Sequence, residues 1–145
     1  MDSIRIDTGI KHIAVNDDPN CVITFNPNDV AFAENFYQLM QDFQIKQVDY
    51  QTRADALSDQ TALDQNNLPV NLPAGLALLR EICEYMRERI DRLFGAGASQ
   101  KAFGDTLDLN VFEQFFAGMT PIIQAARQEK TARYLTSKHA GKVMK

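Results

Sequence analysis

The residues that could carry out chemistry are few and lie far apart in the chain. Histidine occurs only at His12 and His139, and cysteine only at Cys21 and Cys83. A nucleophilic thiol needs a nearby base and a zinc site needs clustered ligands, but no motif groups these four residues. Cys83 falls on the apolar face of a predicted helix, where a buried, unreactive thiol is expected. The sequence therefore predicts no catalytic residue and no metal site.

Two short stretches hold the remaining candidates for ion, phosphate or acid–base chemistry. "NDDPN" at 16–20 lacks the alternating ligands, central Gly and closing Glu of a calcium loop, and is interpreted as a turn. "GAGAS" at 95–99 follows a predicted helix and lacks the Gly-Lys-Ser/Thr of a phosphate loop, so it is interpreted as a flexible joint. Asp17 and Asp18 could act as an acid–base pair with His12 nearby, although solvated turn acids are commoner. The expectation is a non-enzymatic protein without a cofactor.

Composition and charge limit the classes of partner. The chain has 145 residues, with 45% hydrophobic and 23% charged residues, as in ordinary folded domains. Residues 1–126 hold nine Lys/Arg and eighteen Asp/Glu, a net charge of −9, whereas residues 127–145 hold six and one, a net charge of +5. An acidic body argues against a broad nucleic-acid footprint. The basic end could contact an anion or RNA, but a solvated end is the simpler interpretation.

The start of the chain and its cysteine content predict a cytoplasmic location. "MDSIRIDTG" has an early acid and no apolar core of a signal peptide. No stretch approaches the roughly 20 consecutive apolar residues that a membrane span needs. Two cysteines do not make a disulfide framework. We therefore expect a reduced protein in the cytoplasm, with no membrane partner.

The N-terminal part has the pattern of short strands. Alternating or β-branched runs separated by turn residues predict three antiparallel strands, near 3–7, 10–15 and 21–25. Such a small meander needs a helix packed on one face. The fold class predicted is α+β, mostly α: a small N-terminal antiparallel β-meander packed on a bundle of three to four helices, one of them long.

The rest of the chain has helical periodicity. A long helix is predicted at 27–59, with Asn26 as its cap and Pro27 at its first position. Apolar residues recur along it every seven positions, which keeps one stripe on one face. The members of this stripe are Phe36, Phe43, Tyr50 and Leu57.

The C-terminal half is divided by prolines and glycines. A connector at 60–73 precedes a helix at 74–94, which Pro73 opens and Gly95 ends. Further helices are predicted within 99–135. A short helix is capped by Ser99 and stopped at Gly104, Asp108 or Asn110 caps the next helix, and Thr120-Pro121 marks a break or a restart. The elements from the β-meander at 3–25 onward form a single predicted domain, 1–135, followed by a basic flexible tail, 136–145.

Two aromatic helix faces allow two interpretations. Large apolar faces are usually buried, so a shared core is the first of them. The second is that part of this surface receives a partner, as when a helix binds in a groove. The candidate partner-binding residues under the second interpretation are Phe32, Phe36, Phe112, Phe115 and Phe116.

Several long stretches resemble a known family. They are "VNDDPN" at 15–20, "FNPNDVAFAENFYQLM" at 25–40, "NLPAGLALLREICEYMRERIDRLFG" at 71–95, "SQKAFGD" at 99–105 and "FEQFFAGMTPIIQAAR" at 112–127. On these stretches the chain resembles the tail assembly chaperones of phages and prophages of Gram-positive bacteria. The resemblance covers nearly the whole chain and includes no catalytic signature.

The resemblance implies a role in tail morphogenesis in the host bacterial cytoplasm. Such a chaperone binds the long, helical, apolar tape-measure protein before the tail tube polymerises around it. It needs apolar helix faces, a charged body and no active site. The expected partner is the tape-measure protein or another tail protein, and a homo-oligomer stays an open alternative.

Other functions also fit the sequence. A prophage-encoded inhibitor or regulator could bind a host protein or nucleic acid through the acidic body or the basic tail. A structural tail component is a further alternative, and an enzyme comes last.

Overall fold

The fold is mostly helical, with a small antiparallel sheet near its N-terminus, as the sequence predicts. The computed structural model describes the backbone of residues 1–143 and the side chains of residues 1–128. A single turn of 3-10 helix at Val15–Asp17 joins the two strands. The strands and α-helices are β1 Lys11–Ala14, β2 Val22–Phe25, α1 Val30–Ser58, α2 Leu72–Phe94, α3 Ala98–Phe103 and α4 Leu109–Val143.

The sheet has two strands rather than the three of the predicted meander. β1 pairs antiparallel with β2, with Lys11 opposite Phe25 and Ala14 opposite Val22. The buried side chains of Ile23 and Phe25 attach this hairpin to the helices. Residues 1–10, all of which the structure describes, form neither strand nor helix, so the predicted strand near 3–7 is wrong for the folded chain.

The backbone at Thr8 and Gly9 explains the missing strand. Two-residue turns that return a strand antiparallel to itself need a positive φ at their first central residue. Gly9, the second residue of the pair, has φ 74°, whereas positive φ among the described non-glycine residues is confined to Asn16, Asp17 and Asn67. Thr8 therefore does not open such a turn, and the segment before it is not paired with β1.

Helix α1 begins three residues later than predicted. Asp29 is its N-cap, and its Oδ1 accepts a hydrogen bond from the Ala31 N–H at 2.9 Å. Asn26, the predicted cap, instead accepts a bond from the Asn28 N–H at 3.0 Å and donates one to the Thr8 carbonyl at 2.6 Å. The Asn26 side chain thus stabilises the corner before the helix and holds Thr8 against it.

Helix α2 lies at the centre of the packing. It contacts α1, α3, α4 and β2. It ends at Gly95, which has a positive φ of 110°, as the sequence predicts. Its apolar stripe is buried and consists of Leu78, Ile82, Cys83, Met86, Ile90 and Phe94. A helix with one such continuous stripe can serve as a common packing surface for several neighbours.

Helix α1 runs antiparallel to α2. Near one end of the pair the Asn71 side chain donates to the Leu57 carbonyl at 2.8 Å. Near the other end the rings of Phe32 and Phe94 lie 5.7 Å apart. The second half of α1 and the first half of α2 therefore form a two-helix arm.

The glycine-rich stretch after α2 is a joint between helices, as predicted. Gly97 precedes α3, and Ser99, the predicted cap, lies inside this helix with its N–H bonded to Asp91 Oδ1 at 2.7 Å. Gly104 ends α3, as the sequence predicts. Asp108, one of the two predicted caps, accepts a bond from the Asn110 N–H at 3.0 Å as α4 begins.

Helix α4 continues through Pro121, so the predicted break at Thr120-Pro121 is wrong. A proline inside a helix removes one backbone hydrogen bond, but here Met119 and Ile123 are buried on either side of it and hold the helix on the core. Arg127 donates to the Asn28 carbonyl at 3.2 Å and ties α4 to the start of α1.

The C-terminal end of α4 covers most of the segment predicted to be a flexible tail. The helix extends to Val143, within the predicted tail 136–145, whose last two residues lie outside the described part of the chain. None of the helices in the described residues combines the length and the hydrophobicity needed to cross a bilayer.

Candidate functional site

The five aromatic residues predicted to bind a partner lie in or against the core. Phe32, Phe112 and Phe115 are buried, and Phe112 has no exposed surface at all. Phe36 and Phe116 are partly buried and pack against the same cluster. The interpretation of these faces as a shared core is confirmed for the three buried rings.

The aromatic rings form one connected cluster around Phe94 of α2. The ring of Phe94 lies 5.2 Å from that of Phe25 and 5.5 Å from that of Phe115, both in edge contact. Phe103 of α3 then contacts Phe112 at 4.9 Å and Phe115 at 5.2 Å. The structure thus brings the predicted residues of α1 and α4 together through a ring from α2 that the sequence analysis did not single out.

An open cleft lies beside this core, between α1 and the first turns of α4. Its wider part has a volume of about 640 Å³ and its narrower part about 170 Å³. Phe43, Leu109 and Glu113 line both parts, so the two are continuous. We call this feature the α1–α4 cleft.

Each side of the α1–α4 cleft has a different character. The floor is apolar and belongs to α2, through the buried side chains of Ile82 and Met86. The wall formed by α1 includes Val48, which is 70% exposed. The α1 wall also includes a row of glutamines that offer amide donors and acceptors, namely Gln44, Gln47 and Gln51.

Ion pairs on the outside of α1 and α2 fix the position of this wall. Arg89 donates to Asp42 at 2.7 Å, and the two side chains are only partly exposed. The hydrogen bond from Arg89, assisted by one from Gln38, holds the pKa of Asp42 below its usual value. Farther along the arm, Arg53 bonds to Glu81. These pairs lock α1 on α2 without entering the cleft.

Tyr50 lines the cleft and packs α1 against α2. Its ring is buried and lies 6.4 Å from that of Tyr85 on α2, in edge contact. Burial, followed by the nearby charge of Glu81, raises the pKa of the Tyr50 hydroxyl. The hydroxyl therefore stays protonated at neutral pH, and the ring acts as packing surface.

Three of the residues considered for chemistry, His12, Cys21 and Cys83, make local contacts, whereas the side chain of His139 lies outside the part that the structure describes. Burial raises the pKa of the Cys83 thiol, and a hydrogen bond to Asp18 raises that of Cys21. His12 bonds to Thr24 across the hairpin at 3.0 Å. Within the residues that the structure describes, no three His, Cys, Asp or Glu side chains are grouped to hold a metal ion.

Comparison with known proteins places most of the chain in one family. Residues 20–145 match the sequence model of DUF6673, a family of unknown function. The chain belongs to DUF6673. No curated protein and no solved structure matches it.

The matched region of this DUF6673 protein contains β2, all four helices and the α1–α4 cleft. Residues 1–19, which include β1, lie outside the match. The aromatic core and the cleft are thus both built from the part of the chain that defines the family, whereas the exposed N-terminal segment is not.

Only some of the residues that line the cleft could be identified from the sequence. The seven-residue repeat marks Phe43 and Tyr50 as members of one stripe, and both line the cleft. The glutamine row carries a second signal, because Gln44, Gln47 and Gln51 recur at helical spacing. Nothing in the sequence indicates that Leu109 and Glu113 lie opposite them.

Proposed function

We propose that this DUF6673 protein is a non-enzymatic, tail assembly chaperone-like protein that binds a helix of the tape-measure protein through apolar helix faces during phage tail morphogenesis. The identity of the partner rests on the sequence resemblance to phage and prophage tail assembly chaperones. The mode of binding rests on one structural observation, the α1–α4 cleft, which is open on a protein whose other aromatic faces are mostly buried.

The cleft has the dimensions of a site for a helix. It extends along α1 from Met40 to Ala54, a distance of about 20 Å at about 1.5 Å per residue. That length matches about four turns of a bound helix. Three helices surround the cleft, so a fourth would complete a bundle with an apolar interior.

The side chains that line the cleft indicate which side chains a bound helix should have. The floor made by Ile82 and Met86 would accept apolar side chains spaced three or four residues apart. Glutamine amides on the α1 side can bond to polar groups at the edge of the bound helix, and Glu113 on the α4 side favours a Lys or Arg there. The expected ligand is therefore an amphipathic helix with a basic edge.

The test is co-expression with the tape-measure protein from the same gene cluster, followed by affinity capture and a solubility assay. The wild-type chain is expected to keep the long protein soluble and to co-purify with it. Val48→Asp places a charge in the cleft wall and should weaken capture at least about tenfold, because the carboxylate would be desolvated on binding.

Ile45→Asp is the matched control. Ile45 lies on the same helix and is 72% exposed, close to the 70% of Val48, but it does not line the cleft. Equal loss of capture in both variants would reject the cleft as the binding site. Failure of the wild-type chain to bind or solubilise the tape-measure protein would reject the chaperone function itself, and a regulator of a host protein would become the leading alternative.

A further inference from the structure

We propose that residues 3–7 form a β-strand only between chains, by pairing with the open edge of β1 in a second copy of this protein. Two copies exchanging this segment reciprocally would form a twofold dimer. The proposal concerns the N-terminal hairpin and is independent of the α1–α4 cleft.

The donor segment has the properties of a strand without a partner. Ile4 is 83% exposed and Ile6 is 73% exposed, and polar residues alternate with them. This alternation places the two isoleucines on one face of an extended chain. Among the described residues, hydrogen bonds hold its C-terminal end: Asp7 Oδ1 accepts from the Gly9 N–H at 3.0 Å, and the adjacent Thr8 carbonyl accepts from Asn26 at 2.6 Å.

The acceptor is the outer edge of β1. The sheet has two strands, so the side of β1 away from β2 is one of its two outer edges. β2, in contrast, contacts both α2 and α3. Lys11, His12 and Ala14 are all exposed on β1. An uncovered strand edge presents unpaired N–H and C=O groups and is a template for another strand.

In the folded chain the donor segment and the acceptor edge are not paired with each other. The Thr8-Gly9 pair lacks the positive φ at its first residue that a tight antiparallel return requires. The hydrogen bond from Asn26 to Thr8 stabilises this backbone conformation. Both the segment and the edge are therefore left available to another molecule.

A second copy is the occupant that fits both features, because each chain carries both halves of the interaction. In a reciprocal exchange, residues 3–7 of each copy pair with β1 of the other copy. Both segments and both strand edges are then paired, as a self-complementary twofold interface requires. Residues 2–7 carry Asp2, Arg5 and Asp7, a net charge of −1, whereas β1 carries Lys11, a net charge of +1, so the net charges of the two segments are opposite. The three-stranded sheet that the sequence predicts would then exist between copies.

The first experiment measures the oligomeric state of the full chain by sedimentation equilibrium over a range of concentrations. The wild-type chain is expected to dimerise. Ile6→Pro removes a backbone donor from the strand and should raise the dimer dissociation constant about tenfold or more. Ile6→Val keeps strand propensity and should dimerise as the wild type does. Since Ile6 lies outside the core, thermal unfolding monitored by circular dichroism should show both variants folded.

The second experiment tests the pairing itself by disulfide formation between chains. Copies carrying Ser3→Cys, Arg5→Cys or Asp7→Cys are each mixed with differently tagged copies carrying His12→Cys, all in a Cys21→Ser background. Cross-strand cysteines within about 7 Å between Cα atoms can form a bond. At least one combination should give a mixed dimer linked by a disulfide, and the Ile6→Pro change should abolish it.

Three results would overturn the proposal. One is a wild-type chain that stays monomeric at its highest soluble concentration. Another is a dimer that Ile6→Pro leaves intact, which would assign association to another surface, such as the cleft. The third is slow amide exchange of residues 3–7 in a monomer, which would show pairing within one chain.

Discussion

Substitution of Phe112 by alanine separates the two interpretations of the aromatic helix faces. Phe112 has no exposed surface, and its ring lies 4.9 Å from that of Phe103 in edge contact. Removing a fully buried phenylalanine costs about 3–5 kcal/mol, since lost burial and the remaining cavity both contribute. With a contribution from the lost ring pair, which is worth about 0.5–1.5 kcal/mol, the upper part of that range is expected, about 4 kcal/mol. For a chain of this size that is a fall in melting temperature of roughly 8–16 °C.

The assay is urea unfolding followed by circular dichroism, with the midpoint and slope compared between variants. Tyr37→Ala is the control, because Tyr37 is an aromatic residue exposed on α1; its free energy of unfolding should change by less than about 0.5 kcal/mol. A loss below about 1 kcal/mol for Phe112→Ala, with an unchanged slope, would refute the assignment of Phe112 to the core. It would return this residue to the set of surface rings that could bind a partner.

Two further predictions concern contacts between elements. Asp91→Ala should lower the free energy of unfolding by about 1–3 kcal/mol, since the N–H of the buried Ser99 would lose its acceptor, whereas Asp91→Asn, which keeps an oxygen there, should lose less. The pKa of Asp42 is lowered in the folded chain by Arg89, so its stabilising effect is complete above the ordinary aspartate pKa and disappears as the pH falls through the lowered value. The stability difference between wild type and Asp42→Asn should therefore be constant from neutral pH down to about pH 5 and shrink below it; a difference that does not change with acidification would contradict the ion pair.

Local patterns were sufficient to predict α2. The periodicity and flanking residues of α2 place it at 74–94, and the observed helix is Leu72–Phe94. The long helix is displaced by three residues at its start because Asn26 bonds to a distant carbonyl, that of Thr8, instead of capping α1. That partner depends on the tertiary fold, so a propensity argument cannot include it.

The two errors in the predicted elements have the same origin. The segment 3–7 has the correct alternation but precedes Thr8, which lacks the positive φ that a two-residue hairpin turn needs at that position. The predicted break at Pro121 is overruled by the burial of Met119 and Ile123 on both sides of it. In each case the local sequence pattern correctly indicated a conformational preference, but contacts with the rest of the fold determined the conformation that the segment adopts.

The candidate site was harder to predict from the sequence than the helices were. Periodicity identifies an apolar face but does not say whether that face meets another helix or the solvent. Phe32 and Phe115 meet within the core through Phe94, whereas Phe43 lies where α1 and α4 separate. That separation depends on how both helices pack against α2, which no single segment encodes.

The division of the α1–α4 cleft between two helices has a consequence for the divergence of its family. The floor residues Ile82 and Met86 also belong to the core, so changes there would affect folding as well as binding. Gln44, Gln47 and Val48 on the wall are exposed, and surface changes of this kind usually alter stability by less than about 0.5 kcal/mol. Under the proposed function, substitutions in this one helix would change the binding preference of the cleft at little cost in stability. Exchanging these three wall residues between two members should exchange their ligand choice while both chains keep the same stability.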